Sequence, residues 1–436
     1  ADGRADRTNV ELVTIDPPGS RDLDQAFGAE RRESGYRVWY AIADVAAFVK
    51  PGGALDAECH RRGVTLYAPD RRAPLHPPVL SEGAASLLPD GDRPALLWCI
   101  DLDRDGKPVA TRLERAIVRS RAQLAYAEVD RVLAAGTAPE PLVLLREIGQ
   151  LRILRERARG GVSLPLPEQI VEPDGGQYRL TYDAPLPSEE WNAQISLLAG
   201  MEAARIMLDG GAGILRTLDP PDPVALDHLQ TAAAALGIAW PQEGGYPELV
   251  RSLDPASPEG AALLVQATRV LRGAGYRGFR DGDIPQGDDA VHSAVAAPYA
   301  HVTTPLRRLC DRAANEAVLA HVEGRAVPEW AARELDTLPA VMADARRRES
   351  AYSRATLDLV EALVLCRWVG HTFAAVVVDV DERANGSRLA QVHLREPAVV
   401  AWARAETRPN PGDEVSVVLR AADPIERRIE LDVVER

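Results

Sequence analysis

The sequence predicts an α+β protein in which a large mixed domain precedes a small all-β barrel. Three observations support this fold class. Short β-type runs alternate with turn residues over residues 10–120, helical periodicity prevails over residues 122–369, and closely spaced β-type runs return after His371. The length of 436 residues also exceeds that of an ordinary single domain, which favours a division of the chain.

The first part of the chain is predicted to form a β-sheet. Its runs of β-branched, aromatic and leucine residues are bounded by clusters of Pro, Gly and Asp, which is the pattern of strands joined by turns. The predicted strands are Val10–Ile15, Arg37–Ala43, Ala95–Leu102 and Ala110–Ser120.

The next part is predicted to be helical, because apolar residues recur there with a period of about 3.6. We therefore expect a mixed β-sheet with surrounding helices. The predicted helices are Ala122–Arg159 with a break at Gly136–Pro141, then Glu189–Leu208, Pro223–Leu236, Ala261–Arg272, Pro305–Glu323 and Glu334–Val369, the last as one or two long helices.

The C-terminal part carries the five predicted strands Phe373–Val380, Arg388–Leu394, Ala398–Ala403, Glu414–Leu419 and Arg428–Val433. Their number and spacing favour a small closed barrel of the OB type. A β-rich extension packed on the main domain is the alternative. We place the domain boundary between residues 369 and 370, which gives domains 1–369 and 370–436.

The composition is that of a globular protein, with 46% hydrophobic and 27% charged residues. No apolar run is long enough to span a bilayer, and the opening residues ADGRADRTNV lack the apolar core of a secretory signal. The sequence thus predicts a cytoplasmic protein without a membrane partner. Cys59, Cys99, Cys310 and Cys366 are far apart, which predicts buried thiols in a reducing compartment and argues against a zinc site.

The net charge of −14 argues superficially against a nucleic-acid partner. However, Lys50 and Lys107 are the only lysines, so almost every positive charge belongs to an arginine. Guanidinium groups can bind phosphates through two parallel hydrogen bonds. Net charge alone therefore excludes nothing.

The segment Thr14–Ala26, TIDPPGSRDLDQA, contains three aspartates and is the first candidate site. A predicted strand leads to Asp16, and the following Pro-Pro-Gly-Ser predicts a turn. Asp22 and Asp24 have the spacing that points both side chains to one face of extended backbone. Carboxylates this close repel one another unless a cation neutralises them, and Mg²⁺ prefers oxygen ligands. The segment predicts a magnesium site, with Mn²⁺ as an alternative ion and a solvated turn as the simpler interpretation.

The segment Pro298–Asp311, PYAHVTTPLRRLCD, is the second candidate. Thr304 is predicted to cap a helix with Pro305 in its first turn. Arg307 and Arg308 would then lie near the helix N-terminus, where a bound anion would offset their unfavourable position. An arginine pair in salt bridges with Asp311 is the alternative.

Together these segments resemble the signatures of the ribonuclease II/ribonuclease R family, an IDxxxxxDxDDA segment followed far downstream by YAHxTSPIRRYxD. Further landmarks of the same family occur in the same order over residues 10–325. They are YAIADVAAFV at Tyr40–Val49, RGVTLYAP at Arg62–Pro69, PLHPPVLSEGAAS at Pro74–Ser86, SRAQLAY at Ser120–Tyr126 and GVSLPLPE at Gly161–Glu168.

The resemblance implies a magnesium-dependent exoribonuclease that hydrolyses single-stranded RNA from the 3′ end and releases nucleoside 5′-monophosphates. An RNB-type catalytic domain would be followed by an S1-like OB-fold barrel that binds RNA, in a monomer. The resemblance assigns metal binding to Asp16, Asp22, Asp24 and Gln25, and catalysis to Asp24 and Arg307. It assigns RNA binding to Tyr67, Tyr126, His301, Thr304, Arg307 and Arg308. Aromatic rings such as that of Tyr67 stack on bases without regard to sequence.

The sequence also departs from the family pattern. Gln25 replaces the fourth aspartate, Leu164 replaces an aromatic residue, and Ala193 and Gln194 stand where glutamates are frequent. The two cold-shock barrels that precede the family's catalytic domain are expected to be absent. Two alternatives follow from these departures. One is an RNA-binding or regulatory protein with weakened catalysis, and the other is a phosphodiesterase restricted to very short oligonucleotides.

Overall fold

The computed structural model describes residues 3–164, 168–183, 185–255, 257–382 and 388–434. The first part of the chain contains mainly strands. Its elements are β1 (Ala5–Asp6), β2 (Leu12–Ile15), β3 (Gln25–Arg32), β4 (Gly35–Ala43), α1 (Ala54–Arg62), β5 (Leu66–Ala68), β6 (Arg71–Ala73), β7 (Asp92–Asp103) and β8 (Pro108–Leu124).

These strands build a six-stranded mixed sheet with the order β1-β8-β2-β3-β4-β7. The long strand β8 pairs antiparallel with β7 along most of its length and parallel with β2 at its end. The connected strands β8, β2, β3, β4 and β7 therefore form a ring. Strand β3 was not predicted, because its sequence QAFGAERR lacks a run of β-branched residues.

The middle of the chain surrounds this sheet with helices. Its elements are α2 (Tyr126–Ala134), α3 (Glu140–Ala158), β9 (Glu168–Asp174), β10 (Gln177–Asp183), α4 (Pro187–Gly210), β11 (Gly213–Thr217), α5 (Pro223–Ala235), α6 (Gly245–Ser252), α7 (Pro258–Ala267), β12 (Gly275–Phe279), β13 (Val291–His292), β14 (Ala297–Pro298) and α8 (Cys310–Val322). Helices α3, α4 and α8 pack on the sheet in one continuous apolar core that includes Trp98, Leu145 and Leu198.

The C-terminal part consists of a long helix and a barrel. Its elements are α9 (Glu329–Leu365), β15 (Thr372–Glu382), β16 (Arg388–Leu394), β17 (Val399–Ala405), β18 (Glu414–Asp423) and β19 (Arg428–Val434). The five strands close in the order β15-β16-β17-β19-β18, which confirms the predicted barrel. Its core continues into the end of α9 and into the β9–β10 hairpin through Leu365 and Leu180.

Two expectations on burial and on membranes can be checked. Cys59, Cys99 and Cys310 are buried as predicted, whereas Cys366 is exposed, which corrects the prediction for that residue. Cys366 lies in the short connection between α9 and the barrel, where less protein covers it. Within the described residues, we find no helix that combines the length and the apolar character needed to cross a membrane.

Candidate active site

Asp16 is placed by the parallel pair β2 and β8, whose ends coincide because Ile15 pairs with Leu124. The backbone N–H of Asp16 donates to the carbonyl oxygen of Leu124 at 3.1 Å. The predicted turn follows, with Ser20 donating to the carbonyl of Pro17 and Gly19 at a φ of 81°. The half-buried Asp16 lies on the wall of a cavity of about 360 Å³.

Asp24 is the point at which the two sequence motifs meet. Its side chain is 1% exposed, although it carries a carboxylate. One oxygen accepts a hydrogen bond from the backbone N–H of Leu306 at 2.7 Å, and the other accepts one from Nε of Arg307 at 2.8 Å. Two hydrogen bonds to this one carboxylate therefore join the two motifs, which are far apart in the sequence.

The segment Thr304–Leu309 is a turn and not the start of a helix, which corrects the prediction that Thr304 caps a helix at Pro305. The carbonyl oxygen of Thr304 accepts hydrogen bonds from the N–H groups of Arg307 and Arg308, and helix α8 begins at Cys310. In this turn the backbone N–H of Leu306 points at the carboxylate of Asp24. The predicted helix start at Pro305 gave no indication of this contact.

The same turn is clamped to the segment that precedes Tyr67. The N–H of Thr65 donates to the carbonyl of Arg307, and the N–H of Leu309 donates to the carbonyl of Gly63, both at 2.9 Å. Because Tyr67 follows on β5, this pairing brings its ring to the same region as Arg307.

Tyr67 and Asp22 form a second contact of the site. The Tyr67 hydroxyl donates to Oδ2 of Asp22 at 2.9 Å, while the residue remains 46% exposed. Arg72, which pairs with Tyr67 across the β5–β6 hairpin, donates to Oδ1 of Asp22 at 3.2 Å. Sequence reasoning missed Arg72, and the period-two hairpin pairing was the signal that could have found it.

The remaining residues assigned to RNA binding are already engaged within the protein. Arg308 forms two bonds with Asp311, at 2.5 and 2.9 Å, and Asp311 also accepts from the N–H of Thr304. The Tyr126 hydroxyl accepts from Asn192 at 3.2 Å. His301 shares a hydrogen bond of 2.8 Å with the hydroxyl of Tyr276. The alternative interpretation of the arginine pair therefore holds for Arg308, and Arg307 has a different partner.

The YAH segment is held against α4 by a close backbone approach. A Cβ added to Gly200 would lie 2.2 Å from a ring carbon of Tyr299 and 2.6 Å from the carbonyl oxygen of Ala300. The N–H of Ala300 also donates to the carbonyl of Gly200 at 3.1 Å. Only glycine fits at this position, and this contact fixes the start of the second motif.

Two carboxyl groups of the site, those of Asp16 and Asp24, have raised pKa values. Burial raises the pKa of Asp16 to about 6, with Arg307 opposing the change and Asp22 adding to it. Burial also raises the pKa of Asp24 to about 7, against the influence of Arg307 and the Leu306 N–H. Burial lowers the pKa of Arg307, but Asp24, Tyr67 and Asp22 together outweigh it, so the net shift is upward. Arg307 does not offset the effect of burial on these two carboxyl groups, and a further cation bound beside them would favour their ionised form.

Gln25, the predicted fourth ligand, is engaged elsewhere. Its amide oxygen accepts hydrogen bonds from the hydroxyls of Tyr40 and Ser196, the latter at 3.2 Å. These two hydroxyls are also 2.7 Å apart. An amide oxygen has two lone pairs, and both have donors here.

A different group has the tightest carboxylate clustering. Among the described residues, Asp56, His60 and Glu334 are the one set of three with potential ligand atoms within 4.8 Å of one another, so Asp16, Asp22 and Asp24 lie further apart than that. However, Arg312 donates to both Asp56 and Glu334 at 2.6 Å, and its side chain is 2% exposed. A buried guanidinium already bridges its two carboxylates, so we interpret this group as structural.

Of the other departures from the family pattern, Gln194 and Leu164 contact neighbouring parts of the protein, whereas Ala193 is exposed. Gln194 is buried and donates to Glu156 at 2.5 Å, and Ser163 donates to the same carboxylate at 3.0 Å. Leu164 packs on the apolar cluster of α5, α6 and α7. Neither side chain contacts Asp16, Asp24 or Arg307 among the described hydrogen bonds and apolar clusters.

Comparison with known families identifies two domains in the chain. The RNB domain matches residues 4–324, and the RNase II-type exonuclease C-terminal S1 domain matches residues 371–434. The chain therefore belongs to the RNB family, as the two motifs predicted.

Relatives within this family are ribonucleases by name. The chain is 28% identical over 406 residues to ribonuclease R of Escherichia coli K12, covering 87% of this chain and 49% of that protein. It is 30% identical over 324 residues to the human exosome complex exonuclease RRP44, covering 71% of this chain and 33% of that protein. The chain thus spans half or less of the length of these curated relatives.

Solved structures share the fold at lower identity. The apo form of Mycoplasma genitalium ribonuclease R superimposes with a TM-score of 0.88 at 20% identity, over 100% of this chain and 72% of that one. Yeast Ssd1, described as a pseudonuclease, superimposes with a TM-score of 0.69 at 14% identity, over 92% of this chain and 50% of that one. The fold therefore occurs in a ribonuclease and in a pseudonuclease, so the fold alone does not establish nuclease activity.

Proposed function

We propose that the protein is a divalent-metal-dependent exoribonuclease that hydrolyses single-stranded RNA from the 3′ end to nucleoside 5′-monophosphates. One observation carries the proposal: the buried carboxylate of Asp24 binds both Leu306 N–H and Arg307, beside Asp16 and the exposed ring of Tyr67. The names of its relatives and a Mycoplasma genitalium ribonuclease R complex with single-stranded RNA support the substrate class.

The chain's own residues have distinct roles in this proposal. Arg307 is held by Asp24 through Nε, so its terminal nitrogens are oriented to donate to a phosphate oxygen. The ring of Tyr67 stacks on a base at the 3′ end, and its hydroxyl fixes the ring through Asp22. Tyr126, held by Asn192, lines the same region.

Asp16, Asp22 and Asp24 are the residues that would hold the metal ion, because hard oxygen ligands with incomplete charge compensation suit Mg²⁺ or Mn²⁺. An ion bound there would activate a water molecule and stabilise the leaving oxygen. Gln25 instead supports Tyr40 and Ser196 through its amide oxygen.

A second candidate function is RNA binding without efficient hydrolysis. The specific observation in its favour is that Gln25 and Gln194, at positions where the family carries carboxylates, are both engaged in internal hydrogen bonds. Weaker metal binding would follow from the missing negative charge.

A length series of 5′-labelled RNA, incubated with Mg²⁺ and with EDTA, tests the proposal. A ladder that shortens from the 3′ end with Mg²⁺ alone supports it. Binding without a ladder favours the second candidate, and cleavage of only the shortest oligomers favours a phosphodiesterase of short oligonucleotides. Asp24→Asn serves as the matched control, since asparagine keeps the acceptor for the N–H of Leu306.

The remaining assignments follow from the domain organisation. We place the boundary between residues 369 and 370 and assign RNA binding to the barrel, which begins at Thr372. Deletion of residues 370–436 should weaken binding of long RNA more than of short RNA. Equal weakening of both would assign the barrel a structural role. We further propose a monomer, and we propose the cytoplasm as its location because a reducing compartment keeps the four cysteines free.

A further inference from the structure

A cavity of about 440 Å³ with a basic lining lies apart from the carboxylate site. It is bounded by the start of β8 and by the C-terminal halves of α3 and α4. Its basic lining residues are Lys107, Arg152, Arg155, Arg159 and Arg205. Helix α4 separates the two places: Asn192 and Ser196 contact Tyr126 and Gln25, whereas Met201 and Arg205 line the cavity further along.

Four of these five basic residues form no salt bridge with a described residue. Arg205 is bound to Glu202 at 2.9 Å and to Asp209 at 3.0 Å. In the described parts of the chain, none of the other four basic residues forms a salt bridge within 4.0 Å, and the carboxylate of Glu202 is also occupied by Thr111. A concentration of unpaired cations stands out in a chain with a net charge of −14.

Two of the arginines also have buried nitrogens without hydrogen-bond partners. Arg152 is 3% exposed, and Nη1 donates to the carbonyl of Gly106 at 2.9 Å while Nε has no acceptor. Arg159 donates through Nε to the carbonyl of Val295 at 2.8 Å, and its Nη2 has no acceptor. Burial, followed by the positive charges of Arg159 and Arg155, lowers the pKa of Arg152 to about 10. Buried donors without acceptors are costly. An anion in the cavity would offset the repulsion among Arg152, Arg155 and Arg159.

We propose that this cavity binds the phosphate group of a nucleoside monophosphate, at a site distinct from the carboxylate centre. Arginine guanidinium groups match phosphate oxygens in geometry and charge. Pro108, Leu198 and Met201 add apolar wall against which a base or sugar can pack. The volume lies within the range of small-molecule sites. The proposal does not rest on the proposed hydrolytic function, because none of the residues used here belongs to that site.

Titration calorimetry of the full chain in EDTA tests the proposal, since the chelator removes metal-dependent binding at the carboxylates. The probes are adenosine 5′-monophosphate and inorganic phosphate. We expect saturable binding that weakens at least about tenfold in Arg155→Ala, through loss of a charge-assisted hydrogen bond. Tighter binding of the nucleotide than of phosphate would show that the apolar wall contacts the nucleoside, and equal binding would assign the site to phosphate alone.

The matched control is Arg157→Ala on the same helix. It removes the same charge, but Arg157 pairs with Glu248 at 2.5 Å and does not line the cavity. Binding should remain close to that of the wild type. Lys107→Ala, an exposed residue at the rim, gives a second variant that does not disturb the core.

Three results would overturn the proposal. The first is an absence of saturable binding of both probes to the wild-type protein. The second is an equal loss in Arg155→Ala and Arg157→Ala, which would show a diffuse electrostatic effect. The third is unchanged binding in both Arg155→Ala and Lys107→Ala when their unfolding temperatures match that of the wild type.

Discussion

Two clusters in this protein combine buried carboxylates with arginine, and they differ in access to solvent. Around Arg312, one guanidinium donates to Asp56 and Glu334, and the group is closed off from solvent. Around Arg307, burial leaves Asp16 and Asp24 with pKa values of about 6 and 7, beside a cavity.

This difference distinguishes a structural ion-pair network from a candidate active site. Proximity of carboxylates alone would select the wrong cluster, because the compact group is the one around Arg312. Burial raises the pKa of Glu334 in the Arg312 cluster as well, so the adjacent cavity and the exposed ring of Tyr67 select the group around Arg307. Perturbed carboxylates in an open site are typical of functional positions.

Among variants of the two clusters, Asp24→Asn should reduce the rate of hydrolysis most. Because the variant removes the negative charge that positions metal and water, we expect hydrolysis to fall by about a thousandfold or more, equivalent to about 4 kcal/mol. RNA affinity should change little. Single-turnover assays at saturating Mg²⁺ measure the rate, and wild-type activity in this variant would disprove the metal-site assignment. Asp56→Asn, in the other cluster, should leave the rate within about threefold.

Arg312→Met should have the largest effect on stability. It would leave Asp56 and Glu334 buried without their cation, and loss of one partner from a buried ion pair costs about 3–5 kcal/mol. Urea unfolding measures this loss as a lower midpoint. Arg307→Met is the counterpart, since it should abolish hydrolysis with a smaller loss of stability. An unchanged midpoint in Arg312→Met would contradict the structural role of that cluster.

Glu361 tests whether burial alone raises a carboxylate pKa in this protein without creating a site. It lies in α9 below the barrel, is 5% exposed, and accepts a hydrogen bond from Gln169 at 2.8 Å. Among the described residues it forms no salt bridge. Burial raises its pKa from 4.5 to about 7, against the influence of Gln169 and the backbone of Val400.

The sign of the pH effect follows from this upward shift. Between pH 4.5 and 7 the folded protein holds a proton on Glu361 that the unfolded chain releases, so this contribution to stability is complete below pH 4.5 and is lost as pH rises through 7. Glu361→Gln should remove this part of the pH dependence and stabilise the protein at pH 8 by on the order of 2 kcal/mol. Glu349→Gln, exposed on the same helix, should leave the profile unchanged. A profile unaltered by Glu361→Gln would contradict the shift.

The parts of the fold that local pattern determines were predictable. The five barrel strands and helices such as α5 follow from alternation, periodicity and turn residues, and the structure confirms them. The turn at Thr304–Leu309 was not predictable, because its conformation depends on pairing with Gly63–Thr65. Propensity favoured a helix there, and tertiary hydrogen bonds overrode it.

The sequence indicated which residues belong to the candidate site, but it did not indicate their hydrogen-bond partners. The motifs identified Asp16, Asp22, Asp24 and Arg307, and the structure places these residues around one another. Which oxygen binds which donor depends on contacts between distant segments, so Arg72 and the engagement of Gln25 could not be seen in one sequence. The assignment of these residues to metal and RNA binding stays a prediction.

Gln25 tests how far the carboxylate site around Arg307 extends. It follows Asp24 in the sequence, but its amide oxygen binds Tyr40 and Ser196. Gln25→Glu keeps the length needed to accept from Tyr40 and Ser196 and adds a negative charge. Gln25→Asp adds the same charge on a shorter side chain, which frees it from at least one of these hydroxyls. A unit charge at about 4 Å in water contributes about 1 kcal/mol.

We therefore expect Gln25→Asp to lower the Mg²⁺ concentration for half-maximal activity by about fivefold, the equivalent of 1 kcal/mol. Gln25→Glu should have a smaller effect, because the two hydroxyls partly compensate its charge. Activity as a function of Mg²⁺ concentration measures both variants, and Ser196→Ala, which removes one donor without adding charge, is the control. An identical Mg²⁺ requirement in all three variants and the wild type would show that position 25 lies outside the metal site, which would confine the carboxylate centre to Asp16, Asp22 and Asp24.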